Sequence, residues 1–192
     1  MQTFTNFRLR LILGLRGLGL GAALVLASGC GKTGSEKAPA EGAGLVASGE
    51  AERLPEMGPG PKWQLTALDG KVIGSDELKG KVVVVDFWAT WCPPCVHEIP
   101  GYIELQKKYG ERGLVIVGLS LDQNGAEAVK PFAQRKQINY PLALATEKEV
   151  AAFGGVEGIP TTFLIDREGR LRHKKVGSME KADYEKLLIP LL

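Results

Sequence analysis

Two cysteines separated by two prolines carry the clearest chemical signal in this chain. Cys92-Pro93-Pro94-Cys95 follows a β-branched run at residues 81–87 and precedes a segment with helical periodicity. A sulfur at the start of a helix lies near unpaired N–H groups and the positive end of the helix dipole. Its pKa, about 8.5 for a free thiol, then falls toward neutrality. We therefore expect Cys92 to attack a disulfide and Cys95 to resolve the mixed disulfide.

The two prolines make the intervening loop stiff. Pro93 and Pro94 have a fixed φ angle that suits the first turn of a helix. Neither carries a backbone N–H, so we expect weaker stabilisation of a Cys92 thiolate than other residues would give. A disulfide between Cys92 and Cys95 closes a loop too small to remove much chain entropy. The spacing therefore favours a redox role over a stabilising one.

The third cysteine, Cys30, belongs to an export signal. Arg8 and Arg10 precede an uncharged, largely apolar stretch at residues 17–27, which is shorter than the roughly 20 residues needed to span a bilayer. Leu26-Ala27-Ser28-Gly29-Cys30 resembles a bacterial lipobox, which predicts cleavage before Cys30 and attachment of lipid to it. The alternative is plain secretion with Cys30 left as a free thiol.

Composition divides the rest of the chain. Residues 31–61 are rich in Gly, Ala, Pro, Ser and Glu, which is typical of a flexible tether. We predict a signal peptide at 1–29, a lipidated N-terminus and linker at 30–56, and one folded domain at 57–192. The net charge of +2 includes arginines of the signal peptide. The remaining body is nearly neutral, and we therefore expect no nucleic-acid binding.

The domain alternates between apolar runs and helical patterns. Residues 95–109, 126–137, 148–153 and 181–189 are predicted helices, and the predicted strands are 63–68, 71–73, 81–87, 114–121, 140–144, 161–166 and 171–176. Strand–helix–strand units predict a parallel centre, and the last hairpin adds an antiparallel edge. The expected architecture is a three-layer α/β domain. In the first helix, the predicted core positions are Val96, Ile99, Ile103, Leu105 and Tyr109.

Two motifs resemble a known family. Residues 85–95 (VDFWATWCPPC) are similar to the active-site segment of thioredoxins. Together with residues 158–169 (GIPTTFLIDREG) and the early hairpin, they resemble the TlpA/ResA-type branch. The resemblance implies an α/β thioredoxin fold, in which helices flank a central mixed sheet, with an N-terminal β-hairpin and a middle insertion. It also implies an exported, membrane-tethered thiol reductant that serves cytochrome c maturation or a similar task.

The resemblance also assigns roles to single residues. Pro160 matches the cis-proline of the family, which lets Ile159 present its backbone to an extended substrate. Asp86 matches the buried acid that exchanges a proton with Cys95, although many TlpA-type relatives have asparagine there. Trp91 matches the tryptophan that covers the active site and contacts partners.

The same resemblance implies what the protein works with. The expected substrates are protein disulfides, the redox group is the Cys92–Cys95 disulfide with no other cofactor, and lipid on Cys30 contacts the membrane. A reductant in an oxidising compartment must be recharged, which implies a membrane electron donor of the DsbD/CcdA kind. The direction of transfer is not fixed by the motif, because thioredoxin at about −270 mV and DsbA at about −120 mV both use it.

Two other functions are compatible with parts of the sequence. Cys92, Cys95, His97 and His173 are potential ligands of zinc or copper. A structural zinc site usually has a second closely spaced ligand pair, which is missing here. A thioredoxin-like groove that binds partners without catalysis is the other alternative.

Overall fold

The computed structural model describes residues 54–192. The predicted signal peptide, Cys30 and most of the predicted linker lie outside these residues. The strands are β1 (Gln64–Thr66), β2 (Val72–Gly74), β3 (Val82–Trp88), β4 (Leu114–Ser120), β5 (Leu142–Leu144), β6 (Thr161–Ile165) and β7 (Leu171–Val176). The helices are α1 (Pro93–Tyr109), α2 (Gly125–Lys136), α3 (Glu147–Ala152) and α4 (Lys181–Leu188), and a 3₁₀ turn (Ile189–Leu191) follows α4.

Five strands form one mixed sheet in the order β5-β4-β3-β6-β7. β3 is parallel to β4, which is parallel to β5, whereas β6 is antiparallel to β3 and β7 is antiparallel to β6. All residues of β3 are buried, as expected for a central strand covered on both faces. The predicted parallel centre and antiparallel edge are confirmed, and the molecule has the thioredoxin fold.

The N-terminal hairpin forms a separate two-stranded sheet. β1 pairs with β2 in an antiparallel register, and Gly70 in the connecting turn has a φ of 88°, a conformation that glycine adopts without strain. The hairpin packs back onto the main sheet, because the Leu68 amide donates to the Leu142 carbonyl at 2.7 Å. The predicted hairpin is therefore confirmed.

The core occupies both faces of the sheet. On one face, side chains of β3 and β4 pack against α1, α2 and α4, and on the other face they pack against the hairpin and Phe153. Strand periodicity assigns alternate residues of β3 to opposite faces. Val84 and Trp88 belong to the first cluster and Val85 and Phe87 to the second. Asp86 therefore faces the side of the sheet covered by α1.

Residues just before the predicted domain already contact it. Leu54 packs against the first core cluster, and its carbonyl accepts a hydrogen bond from Arg172. Glu56 forms a salt bridge with Arg170 at 3.2 Å. Residues 54–56, which were predicted to belong to the linker, therefore already contact the folded domain at the start of β7.

The buried face of α1 differs from the predicted one. Ile99, Leu105 and Tyr109 are buried as predicted, whereas Val96 and Ile103 are only partly buried. The helix also buries Cys95, together with two residues that were not predicted to be in its core, Glu98 and Tyr102. The error arose because the prediction followed apolar residues alone, while the buried stripe includes polar side chains. No helix among residues 54–192 is long and apolar enough to cross a bilayer.

Candidate active site

The two cysteines lie where β3 leads into α1. Cys92 is the N-cap residue of α1, and prolines occupy the first two helical positions. Cys92 and Cys95 form a disulfide with a Cα–Cα distance of 5.3 Å. The amide of Cys95 points at the sulfur of Cys92, with an N–Sγ distance of 3.3 Å. The sulfur thus lies at the helix end where N–H groups and the dipole stabilise negative charge.

The pair is shielded but reachable from one side. Cys92 and Cys95 are only 4% and 1% exposed, while Pro93 and Pro94 between them are exposed. Trp91 is 65% exposed, which is the largest exposed fraction of any large hydrophobic side chain in residues 54–192. An apolar rim therefore surrounds the buried sulfurs, which suits contact with another protein.

The loop before β6 completes the opening over the pair. The Ile159–Pro160 peptide bond is cis, as the resemblance implied. The carbonyl oxygen of Ile159 lies 3.8 Å from the sulfur of Cys92. The loop is held by the Gly177 amide, which donates to the Pro160 carbonyl at 2.8 Å. Backbone groups of Ile159 therefore lie beside Cys92, where an extended chain bound to them would bring a disulfide to the sulfur.

A second contact fixes the loop between β3 and Cys92. The amide and hydroxyl of Thr90 both donate to Asp122, at 3.0 and 2.5 Å. The hydroxyl of Ser120 also donates to Asp122, at 2.7 Å. Asp122 thereby ties the end of β4 to the loop that carries Trp91 and Cys92. This role was not predicted, because Thr90 and Asp122 are far apart along the chain.

Asp86 is the buried acid of this region. Its side chain is 4% exposed, and it accepts a hydrogen bond from the hydroxyl of Thr162 at 3.4 Å. Burial and then the nearby negative charge of Glu98 raise the pKa of Asp86 well above its ordinary value, more than the Thr162 hydrogen bond lowers it. A carboxyl with a raised pKa is suited to accept and return protons near neutral pH.

Glu98 was missed as a site residue by the sequence prediction. It lies one helical turn after Cys95 on the buried face of α1 and is 6% exposed. Burial raises its pKa, although hydrogen bonds from the Met179 amide and the Tyr184 hydroxyl act in the opposite direction. The signal that could have revealed it is its spacing, since residues i and i+3 share a helix face.

The metal-binding alternative needs the side chains of Cys92, Cys95, His97 and His173 in one cluster. Within residues 54–192, no three or more His, Cys, Asp or Glu side chains come together in a way that would hold a metal ion. His173 lies on β7, and burial followed by the charge of Lys175 lowers its pKa.

Comparison with known proteins identifies the family. The family model described as Redoxin matches residues 50–188. The thiol-disulfide oxidoreductase ResA of Bacillus anthracis is 38% identical over 125 residues, which cover 65% of this chain and 72% of that protein. ResA of Bacillus subtilis is 34% identical over 142 residues, covering 72% of this chain and 79% of that protein.

A solved structure agrees with these relatives. A thioredoxin-family thiol:disulfide interchange protein from Chlorobium tepidum is 38% identical, with a TM-score of 0.64, and the alignment covers 69% of this chain and 94% of that one. The family match spans the strand, cysteine pair and cis-proline loop described above. The chain therefore belongs to the Redoxin family and is a thiol–disulfide oxidoreductase of the ResA/DsbE kind with Cys92 and Cys95 as its redox pair.

Proposed function

We propose that this chain is an extracytoplasmic, membrane-tethered reductant of protein disulfides, with lipid on Cys30 as the anchor. The observation that carries the proposal is the contact between the Cys92 sulfur and the Ile159 carbonyl, 3.8 Å apart. Ile159 is half-buried, and we take its carbonyl, which lies beside the proposed nucleophile, as a group that pairs with a substrate segment. The exposed Trp91, Pro93 and Pro94 add an apolar surface for the protein that carries the disulfide.

The proposed reaction has two thiol–disulfide exchanges. The Cys92 thiolate attacks one sulfur of the substrate disulfide, and the other substrate sulfur leaves as a thiolate and takes up a proton. Cys95 then loses its proton to Asp86 and attacks the Cys92 sulfur, which breaks the mixed disulfide. The substrate leaves with two thiols and has gained two electrons. Cys92 and Cys95 have lost those electrons and are left as a disulfide. The cysteine pair is thus the redox group, and the cycle needs no separate cofactor.

Direction and setting follow from the same proposal. A reductant that acts outside the cytoplasm must regain two electrons per cycle, and a membrane donor of the DsbD/CcdA kind is the proposed source. The resemblance to TlpA/ResA-type proteins favours cytochrome c maturation as the task.

An insulin-reduction assay tests the central claim. The purified chain should reduce insulin disulfides with dithiothreitol as electron donor, and Cys92→Ala should abolish turnover. Cys95→Ala should instead accumulate a mixed disulfide with substrate, visible as a heavier band without reducing agent. Activity that is independent of the cysteines would reject the enzyme and favour a binding module. A reduction potential measured against glutathione near −120 mV, as for DsbA, would reject the reductant direction.

A further inference from the structure

Asp86 and Glu98 lie at the two ends of a chain of hydroxyl groups. The Asp86 carboxyl is 3.4 Å from the Thr162 hydroxyl, which is 2.9 Å from the hydroxyl of Tyr184. Tyr184 in turn donates to Oε1 of Glu98 at 3.1 Å. The Tyr102 hydroxyl lies beside this row of hydroxyl groups, where it donates to Tyr184 at 2.7 Å and is 3.3 Å from the Thr162 hydroxyl. Groups from β3, β6, α1 and α4 therefore form one buried polar path.

The number of protons in this path shows what it requires. Three oxygen–oxygen contacts join Asp86 to Glu98, and each needs one hydrogen. The hydroxyls of Thr162 and Tyr184 supply two, because the Tyr102 proton is donated into Tyr184 from outside the path. The third hydrogen must come from a carboxyl group. The path is fully hydrogen-bonded only when either Asp86 or Glu98 is protonated.

The surrounding charges favour the same state. Asp86 is faced by Glu98 and by the hydroxyls of Tyr102, Tyr140 and Tyr184, none of them a cation. Two carboxylates so close together in a buried site repel, and one retains its proton. Burial raises the pKa of Tyr184 as well, so its hydroxyl stays protonated.

Glu98 connects the path to solvent. A cavity of about 100 Å³ borders its side chain and is lined by His97, Gly101, Met179 and Lys181. His97 and Lys181 are exposed, so the cavity meets the surface. The charge of His97 lowers the pKa of Glu98, and the charge of Glu180 raises it. Asp86 is also buried, and it does not line this cavity.

We propose that Thr162 and Tyr184 relay a proton between Asp86 and Glu98, so that the buried acid that takes the Cys95 proton in the proposed function exchanges protons with solvent at the Glu98 cavity. This relay rests on the proposed function. Before resolution the shared proton lies on Asp86 and Glu98 is a carboxylate. Each proton of the path moves one contact toward Glu98, Glu98 releases one proton to water, and Asp86 is left as a carboxylate. Cys95 then gives its proton to Asp86, and the resulting thiolate breaks the mixed disulfide.

The reaction balances without any additional group. One proton leaves Cys95 and one enters water, while Thr162 and Tyr184 each accept one proton and pass one on. In the reverse direction, when the cysteine pair is reduced, Glu98 takes a proton from water and the path delivers it to Asp86. Thr162 and Tyr184 thus act through Asp86 and are positioning residues for the proton, not reactants with sulfur.

Single-turnover kinetics of the full chain test the relay. Tyr184→Phe keeps the ring and removes the relaying hydroxyl, and Tyr109→Phe is the matched control, because its hydroxyl bonds Glu185 outside the path. We expect Tyr184→Phe to slow resolution by Cys95 at least tenfold and leave the first attack by Cys92 unchanged. Thr162→Val should match Tyr184→Phe, whereas Thr162→Ser should stay within about twofold of the natural chain, because serine retains the hydroxyl.

Carbon-13 NMR of the side-chain carboxyls supplies a second readout that does not need turnover. In the natural chain, one carboxyl of the Asp86–Glu98 pair should remain protonated at pH 7. The relay is rejected if both are ionised, or if Tyr184→Phe and Thr162→Val resolve the mixed disulfide at the natural rate. If instead the natural chain fails to reduce insulin at all, the proposed function fails, while the NMR count still decides whether the proton is shared.

Discussion

Trp91 places a large and mostly exposed apolar side chain next to Cys92 in the sequence. Because its indole is 65% exposed, its removal costs little folding energy but deletes contact area for a protein substrate. Tryptophan is enriched among the interface residues whose removal costs about 2 kcal/mol or more of binding free energy. About 1.4 kcal/mol corresponds to a tenfold change in affinity. We expect Trp91→Ala to lower kcat/KM for insulin about tenfold or more.

Small disulfides provide the control for that variant. Oxidised glutathione covers little of the rim, so its rate with Trp91→Ala should stay close to that of the natural chain. Val72→Ala changes an exposed apolar residue on β2, in the separate hairpin sheet, and should leave both substrates unaffected. Equal losses with insulin and with glutathione would show that Trp91 acts on the cysteines instead of on partner binding.

The pH dependence of stability should reveal the buried charge of Asp86. Its pKa is raised above the ordinary 3.8, so between these two values the folded chain binds more protons than the unfolded chain. Stability therefore falls as pH rises above about 4. Asp86→Asn removes this loss, and its free energy of unfolding should gain on the natural chain by up to about 1.4 kcal/mol per pH unit.

Urea unfolding of the oxidised protein from pH 4 to pH 8 measures this difference. Near pH 4 and below, Asp86 is neutral in the folded chain, and the two proteins differ only by an amide replacing a neutral acid. The gap between them should open with rising pH and level off once Asp86 ionises in the folded state. Parallel curves over the whole range would mean that Asp86 carries its charge in the folded chain as easily as in the unfolded one.

At the level of the helix, the position of each proline in α1 has a separate consequence. An N-cap side chain accepts hydrogen bonds from the second or third helical N–H, and here only Cys95 donates to Cys92 because Pro94 occupies the second position. Pro94→Ala adds that missing donor. We expect the Cys92 thiol pKa to fall by about 0.5 to 1 unit, since one hydrogen bond contributes about 0.5–1.5 kcal/mol.

Alkylation by iodoacetamide across a pH series measures this shift as a lower midpoint for Cys92. Pro93→Ala is the matched control, because it loses a proline at the first helical position without placing a donor where an N-cap accepts one. Both variants should lose about 0.4–1 kcal/mol of stability from the gain in unfolded-state freedom. Identical alkylation midpoints for the two variants would contradict the capping explanation.

The elements themselves were largely predictable, while the contacts between them were not. The β-branched run that became β3, the spacing of Cys92 and Cys95, and the Asp69-Gly70 turn each determine local structure through short-range physics. The Asp86–Glu98 path depends on Thr162 and Tyr184, which lie on β6 and α4 far along the chain. Hydroxyl residues at such positions have no periodic signal, and only the folded sheet brings them to Asp86.

The buried polar stripe of α1 shows the same limit. The apolar pattern located the helix correctly and identified Ile99, Leu105 and Tyr109 as core residues. It could not identify Glu98, because a glutamate on a helix is ordinarily a solvated side chain. Its burial is offset by donors from the Met179 amide and Tyr184, and these are tertiary contacts.

At the scale of the whole molecule, the redox pair and the proposed membrane anchor lie in different parts of the chain. The cysteine chemistry lies within residues 54–192, and the proposed anchor is Cys30, outside them. If lipid on Cys30 holds the protein, Cys30→Ser should move it from the membrane fraction to the soluble fraction in an exporting bacterium. Since the lipid on Cys30 is the proposed anchor, the shift should be complete when that cysteine is lost.

The same variant should keep its insulin-reducing rate per molecule, because Cys30 takes no part in the exchange between Cys92 and Cys95. Its activity in the cell should nevertheless fall, since a freed chain meets a membrane electron donor by diffusion, whereas the proposed anchor and the linker predicted from the sequence would hold it within about 30 Å of the surface. The ratio of oxidised to reduced Cys92–Cys95 in trapped cells measures that effect, and it should rise in Cys30→Ser. An unchanged ratio with a fully soluble protein would show that recharging does not depend on the anchor, and the donor would then have to be sought among soluble reductants.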